Sequence, residues 1–267
     1  MNILIAGAGG FIGGHLMKRL KSQGHSLICA DIKPLEYWFQ IDEDNKNFCI
    51  DLKDYENCKK IFKSKIDFVF NMACNMGGMG FIENNKAECM LSVLINTNLL
   101  RASNENKIKK YLFSSSACVY NADKQKETFI KGLKEEDAYP AMPEDGYGWE
   151  KLFSERMCRH FYEDFNLDVR IVRYHNVFGP VGTFDGGREK APAALCRKVI
   201  NAKIKNEKVV EVWGDGEQTR TFLYIDDCIE GTLSVFNGNY RDVFNIGSDE
   251  QVSINQTLDM IEDISSY

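Results

Sequence analysis

The stretch NILIAGAGGFIGGHLMKRL, Asn2 to Leu20, decides the fold. Asn2 to Gly7 is an apolar run of strand character, and residues 11–22 carry a helical pattern. Between them lie Gly7, Gly10 and Gly13. In a strand–turn–helix unit the first glycine makes the tight turn. The second lets the backbone come close to a ligand, and the third lets the helix lie against the strand. The helix N-terminus, with Phe11 and Ile12 in its first turn, then offers free N–H groups and a positive dipole end to a pyrophosphate. A glycine triplet alone is weak evidence. Here Asp31 also stands at the end of the next apolar run, SLICAD (26–31), where a carboxylate accepts hydrogen bonds from an adenosine ribose. Its charge repels a 2′-phosphate, so the cofactor expected is NAD and not NADP, a preference that Lys33 tempers. A glycine turn without a ligand is the alternative.

Working outward, the apolar runs at 2–7, 26–31, 47–51, 67–73, 110–115 and 168–174 read as strands. Helical patterns at 11–22, 54–63, 83–105 and 148–165 separate them. Strands apolar throughout, alternating with helices, predict an α/β fold: a Rossmann-type doubly wound parallel sheet with a smaller C-terminal substrate lobe. The expected division is a dinucleotide domain over 1–175, to which 221–248 returns. Residues 176–220 and 249–267 form the lobe. The chain ends at Tyr267 within a helical pattern, so the lobe reads as cut short. Asp51 and Leu52, ending the third strand, either meet an adenine edge or open the next helix.

Charged residues make up 27% of 267, with a net charge of −6, which weighs against nucleic acid or an anionic membrane as partner. No run is long and apolar enough to span a bilayer, and a strand at the very start leaves no room for a signal peptide. Nine cysteines at scattered spacings, without a CxxC pair, predict reduced thiols in a cytoplasmic setting and no metal site.

Tyr147 and Lys151, in YGWEK, lie on one helix face. An ammonium beside a phenol stabilises the phenolate and is expected to lower its pKa, so Tyr147 takes a proton from an alcohol while hydride leaves. Ser116, in SSSACVY (114–120) at the sheet's carboxyl edge, can bond the same oxygen. Cys118, two residues on, shares a face with Ser116 if the segment is extended. Its bland reading is a buried structural thiol.

Gly7 to Gly13, Asp31, Ser116 and the Tyr147/Lys151 pair together resemble the extended short-chain dehydrogenase/reductases, which act on nucleotide sugars. Further segments, NMACNMGGMGF (71–81), SSACVY (115–120), RYHNVFGP (173–180), GGREKAPAALCRK (186–198), WGDGEQTR (213–220) and NIGSDE (245–250), resemble the GDP-mannose 3,5-epimerase family within them. The resemblance implies an NAD-dependent isomerase of a GDP-sugar. It oxidises C4, which makes the C3 and C5 protons acidic, inverts those carbons and reduces C4. It assigns the paired acid/base groups to Cys118 and Lys190. A phosphate contact at a helix N-terminus is the competing role for Lys190. The resemblance places Gly78, Met79, Asn176, Glu189, Lys198, Gln218 and Arg220 around the nucleotide sugar. It also implies a homodimer through helices 83–105 and 148–165, with a monomer carrying extra core as the alternative. The rival readings are a nucleotide-sugar 4-dehydrogenase or 4-epimerase, on a GDP-hexose or GDP-heptose, and a non-catalytic nucleotide-binding protein. A 4,6-dehydratase fits less well, because Ala117 and Cys118 stand where an Asp-Glu pair is usual.

Overall fold

The structure is a computed structural model and describes residues 1–125 and 132–267. The glycine turn joins β1 (Asn2–Ala6) to α1 (Phe11–Ser22), and β2 (Ser26–Asp31) and β3 (Lys46–Cys49) follow. Next come α2 (Tyr55–Ile61), β4 (Phe68–Asn71), α3 (Met79–Asn84), α4 (Lys86–Met90), α5 (Ser92–Glu105) and β5 (Lys110–Ser116). The long α6 (Asp145–Phe165) leads into β6 (Val169–Tyr174) and the short β7 (Val177–Phe178). The remainder holds α7 (Ala191–Lys205), β8 (Thr219–Thr221), β9 (Leu223–Tyr224), α8 (Ile225–Asn237), β10 (Val243–Ile246), β11 (Gln251–Ser253) and α9 (Ile254–Ser265).

Seven strands form one parallel sheet in the order β10-β6-β5-β4-β1-β2-β3. Alternation along β1 shows why both faces are covered. Ile3 and Ile5 enter a core with Leu16, Phe70 and Ile229 under α1 and α8. Leu4 and Ala6 enter another with Ile61, Leu100 and Phe113 under α2 and α5. Strand order reverses between β1 and β4, so the crevice at their carboxyl ends is where this architecture binds ligands. The chain returns to the sheet late: β10 pairs with β6, and α8 packs on α1. Off the sheet, β8 pairs antiparallel with β11, β7 pairs with β9, and α7 packs on α9.

The helix expected over 83–105 is three helices. Asn85 leaves helical geometry (φ −132°, ψ 43°) between α3 and α4, and its side-chain amide donates to the Phe81 carbonyl. A second boundary falls at Leu91. The break lets α4 press on the start of α6, where a Cβ on Gly146 would stand 2.5 Å from the Lys86 carbonyl oxygen. The α6 helix begins at Asp145, ahead of the 148 expected, and β3 runs over Lys46–Cys49 rather than 47–51. A buried ion pair fastens α6 to the sheet: Arg173 donates to both Glu155 carboxylate oxygens, at 2.9 and 2.7 Å. Ser115 also donates to Glu155.

Candidate active site

Gly7 takes a left-handed φ of +85°, and a Cβ on it would lie 2.7 Å from the Met72 carbonyl carbon of the neighbouring strand. A Cβ on Gly13 would fall 2.1 Å from the Gly7 carbonyl oxygen. Both positions therefore admit only glycine without displacement. Gly10 has no side chain with which to cap α1, which leaves the first-turn amides, those of Phe11 and Ile12 included, without a side-chain cap. Asp31 accepts from the Gly9 amide at 3.0 Å and the Lys33 amide at 2.9 Å, while Lys33 Nζ donates to the Gly9 carbonyl at 2.7 Å. A carboxylate has about four lone-pair sites, so Asp31 keeps capacity for ribose hydroxyls. The cradle thus fits a dinucleotide. Burial pushes the Asp31 carboxyl up, against these hydrogen bonds and Lys33. The turn also rests on Trp38, which the sequence reading passed over: its indole donates to the Lys33 carbonyl and lies under Gly9. Asp51 accepts from the Lys53 amide at 2.9 Å, and the Leu52 side chain is core. Both stand in the turn that opens α2.

Ser116, Cys118, Tyr147, Lys151 and Lys190 converge at the carboxyl end of β5. Tyr147 is buried, and the Ser116 hydroxyl acts on it to favour the phenolate. Lys151 donates to the Ser114 carbonyl at 3.0 Å, and its Nζ lies 5.6 Å from the Tyr147 ring centroid. The lowering of the Tyr147 pKa expected from Lys151 is not found. Burial drives the phenol well above its ordinary value, and the charges of Cys74, Cys118 and Glu150 add to it; the Ser116 hydroxyl opposes them. Lys151 spends its ammonium on Ser114, Cys74 and Glu150 instead.

The extended segment expected through Cys118 is also corrected. Residues 117–119 form a single tight turn, capped by Ser116, whose hydroxyl accepts from the Cys118 amide at 3.2 Å. The turn, not strand alternation, brings the thiol beside Ser116. Burial raises the Cys118 thiol to about 11, with Ser116 and Lys190 opposing and Glu144 adding to the rise. Lys190 precedes α7. Burial lowers its amine, while Cys118, Cys74 and Cys228 pull the other way. The thiol and the amine therefore feel each other directly. Their loops are tied together: the Gly78 amide donates to the Arg188 carbonyl at 3.1 Å, and a Cβ on Gly78 would stand 2.4 Å from the Glu189 carbonyl oxygen. Arg188 donates to Asn75 and the Met76 carbonyl at 3.0 Å and covers the Phe81 ring.

The other expected substrate residues are spread around this centre. Met79 opens α3 and is exposed. Asn176 follows β6 with a φ of +42°. Glu189 holds Arg197 at 3.0 Å, and its second oxygen is buried without a partner. Lys198 donates to the Glu211 carbonyl and Gln218 to the Trp213 carbonyl, while Arg220 lies on β8. His175 is a packed histidine, bonded to Asn245 at 3.1 Å. Two residues absent from the sequence reading stand inside the cluster. Cys74 acts electrostatically on Tyr147 and Lys151. Glu150 lies 3.7 Å from Lys151 Nζ. Only the glutamate's place directly before Lys151 in YGWEK was a signal that could have found it.

A family profile described as "NAD dependent epimerase/dehydratase family" matches residues 3–247. The chain belongs to the NAD dependent epimerase/dehydratase family. Its cofactor is accordingly NAD. Within the family, the chain is 46% identical over 262 residues to GDP-mannose 3,5-epimerase of Arabidopsis thaliana. That alignment covers 98% of this chain and 68% of the relative. GDP-mannose 3,5-epimerase 1 of Oryza sativa subsp. indica matches at the same identity and coverage. Among solved structures, UDP-glucuronic acid 4-epimerase from Bacillus cereus, in complex with UDP-glucuronic acid and NAD, superposes with a TM-score of 0.80. It is 27% identical, and the match covers all of this chain and 84% of that one. UDP-N-acetylglucosamine 4-epimerase from Methanobrevibacter ruminantium M1 gives a TM-score of 0.86 at 25% identity, covering 100% and 82%. The Rossmann-type fold predicted from the glycine turn is the fold of these family members.

Proposed function

We propose that the protein is an NAD-dependent epimerase of a GDP-hexose, acting on GDP-mannose at C3 and C5 by oxidation at C4, inversion, and reduction at C4. One observation carries the reading: a half-buried thiol, Cys118, and a half-buried amine, Lys190, act on each other beside the Ser116–Tyr147–Lys151 group. A 4-epimerase or 4-dehydrogenase has no use for that pair.

Gly7, Gly10 and Gly13 with the first turn of α1 hold the pyrophosphate of NAD, and Asp31 holds its adenosine ribose. When bound, NAD takes the C4 hydride and later gives it back. Tyr147 accepts the proton of the C4 hydroxyl, Ser116 positions that oxygen, and Lys151 supplies the nearby positive charge. With a carbonyl at C4, the hydrogens on C3 and C5 become acidic. Burial moves Cys118 and Lys190 toward their neutral forms, thiol and free amine. The amine is then ready to take a proton from one face of a carbon and the thiol to give one to the other. The lowered amine favours this role for Lys190 over a phosphate contact.

Residues 176–220 and 249–267 would form the nucleotide-sugar lobe, with Lys198, Gln218 and Arg220 toward the diphosphate. Leu91 and Leu94 around the start of α5, and Trp149 and Phe153 on α6, are each at least 41% exposed. This two-helix apolar face supports a homodimer. Nine unpaired thiols suit a reducing, cytoplasmic setting.

The test is incubation with GDP-mannose in deuterated water. Deuterium at C3 and C5 of the product, without net accumulation of reduced cofactor, is expected. Cys118→Ser should keep transient C4 oxidation but slow the exchange by roughly 10² or more, the usual scale for a positioned acid/base. Exchange at the wild-type rate in Cys118→Ser would return the protein to an unspecified nucleotide-sugar oxidoreductase.

A further inference from the structure

The inversion chemistry proposed above needs Lys190 and Cys118 on opposite faces of one sugar carbon, yet the two residues stand on different supports. Cys118 lies in the tight turn that follows β5. Lys190 ends a loop and directly precedes α7. Its neighbours in that loop are turned toward α7: Glu189 holds Arg197 at 3.0 Å, and Arg197 also donates to the Phe184 carbonyl at 2.7 Å. These contacts order the loop on its own helix and do not fix it against the sheet.

Arg188 makes that connection. Its guanidinium donates to Asn75 Oδ1 and to the Met76 carbonyl, both at 3.0 Å. The same group lies over the Phe81 ring, 3.8 Å from its centroid, which is a close cation–π contact. Phe81 packs in turn on the apolar cluster of Ile82, Cys89 and Tyr147, and Cys118 packs on that cluster too. One arginine thus fastens the loop that carries Lys190 to the cluster that seats Cys118 and Tyr147. The backbones follow the side chain. The Gly78 amide donates to the Arg188 carbonyl at 3.1 Å. A Cβ on Gly77 would stand 3.2 Å from the Arg188 Cα, and one on Gly78 would stand 2.4 Å from the Glu189 carbonyl oxygen and 3.9 Å from the Lys190 Cα. The two loops therefore touch along their length as far as Lys190.

We propose that Arg188 is the positioning residue that sets the Lys190 amine opposite the Cys118 thiol. It moves no proton itself. A planar guanidinium suits the task, because it bonds two oxygens while its face lies on a ring, and a compact ammonium cannot do both. The groups that serve C4 are anchored elsewhere: Ser116 ends β5, and Tyr147 and Lys151 ride on α6. Loss of Arg188 should therefore separate the two halves of the chemistry, sparing oxidation at C4 and slowing inversion. The inference rests on the acid/base roles of Cys118 and Lys190 given above.

The experiment gives the NAD-loaded full chain saturating GDP-mannose in deuterated water and follows two rates, transient reduction of the nicotinamide and deuterium entry at C3 and C5. Arg188→Met keeps an apolar side chain on Phe81 and loses both hydrogen bonds. Deuterium entry should slow by about tenfold to a hundredfold, the scale of displacing a reacting group by about an ångström, with nicotinamide reduction within about twofold of the wild-type rate. Arg188→Lys should recover only part of the loss, since it restores the charge without the planar face. A merely structural role, or a contact between Arg188 and the substrate's diphosphate, would not split the two rates at saturation. Rates that fall together, or deuterium entry at the wild-type rate, overturn the proposal. If Arg188→Met fails to retain NAD, Phe81→Leu decides, because it removes the ring under the guanidinium and keeps an apolar residue on the cluster: slower deuterium entry with normal reduction is expected, and parity with the wild type refutes the proposal. Cys118→Ser in parallel separates the two levels. Exchange at the wild-type rate in that variant defeats the epimerase reading, whereas loss there beside normal exchange in Arg188→Met defeats this inference alone.

Discussion

Glu150→Gln tests how the hydride-transfer group is tuned. Glu150 and Lys151 side chains are each 1% exposed, with Oε2 3.7 Å from Nζ. One Glu150 oxygen accepts from Ser154 at 2.9 Å, and the other has no hydrogen-bond partner. That oxygen acts through charge. At this separation and an effective dielectric near 20, two unit charges attract by about 4 to 5 kcal/mol, or roughly three pK units. Relaxation and the amide dipole of glutamine recover part of this, leaving a shift of roughly one to three units. Burial pulls the Lys151 ammonium down, but Cys74 and Glu150 hold it above the usual 10.5. It therefore keeps its proton until the pH rises through that elevated value. Without Glu150, burial and the cation-holding Cys74 and Ser114 carbonyl contacts are left, and the proton departs at lower pH. Tyr147 is raised by burial first, then by Cys74, Cys118 and Glu150, so the same substitution also lowers the phenol. Both limbs of the pH profile should move to lower pH, with activity at alkaline pH lost first. Rapid mixing of NAD-loaded enzyme with GDP-mannose, following the absorbance of the reduced nicotinamide across pH, reads the oxidation step directly. Superimposable profiles, or limbs displaced upward, would refute the counter-ion argument.

Asp31→Ala should weaken NAD binding and relax discrimination against NADP in a titration with both cofactors, because the acceptor and the repelling charge are lost together. Tyr147→Phe should remove oxidation and deuterium exchange alike while cofactor retention is kept; residual oxidation above a few per cent, at about the level a missing acid/base leaves, would deny the phenol its role. Leu94→Glu with Phe153→Glu should give a monomer in sedimentation if the exposed face of α5 and α6 is the dimer contact, and an unchanged sedimentation coefficient would place the contact elsewhere.

The sequence carried the fold because the decisive signals are local. Gly13 is demanded inside one strand–turn–helix unit, where a Cβ would meet the Gly7 carbonyl oxygen at 2.1 Å, and Gly7 by its own left-handed φ of +85°. The periods of 2 and 3.6 that assign β1 and α1 are properties of consecutive residues. Tyr147 and Lys151 share a helix face by spacing alone. The elements that the sequence misplaced are those where a neighbour intervenes. Asn85 breaks the helix expected over 83–105, so that α4 can lie against Gly146. Cys118 enters the site through a tight turn that follows the strand, not through the strand itself.

What the sequence determined by itself is the dinucleotide turn, the acidic residue at the end of β2, and the helical phenol–lysine pair. Each depends on chain neighbours within a single supersecondary unit. What only the tertiary structure decided is the electrostatic state of the chemistry. Segments far apart in sequence bring Cys74, Cys118, Lys190 and, from α6, Glu150 around one centre. Burial raises the thiol and the phenol and lowers the Lys190 amine. The physical reason is that desolvation and pairwise charge depend on which groups are packed within a few ångströms, and spacing along the chain does not encode that distance.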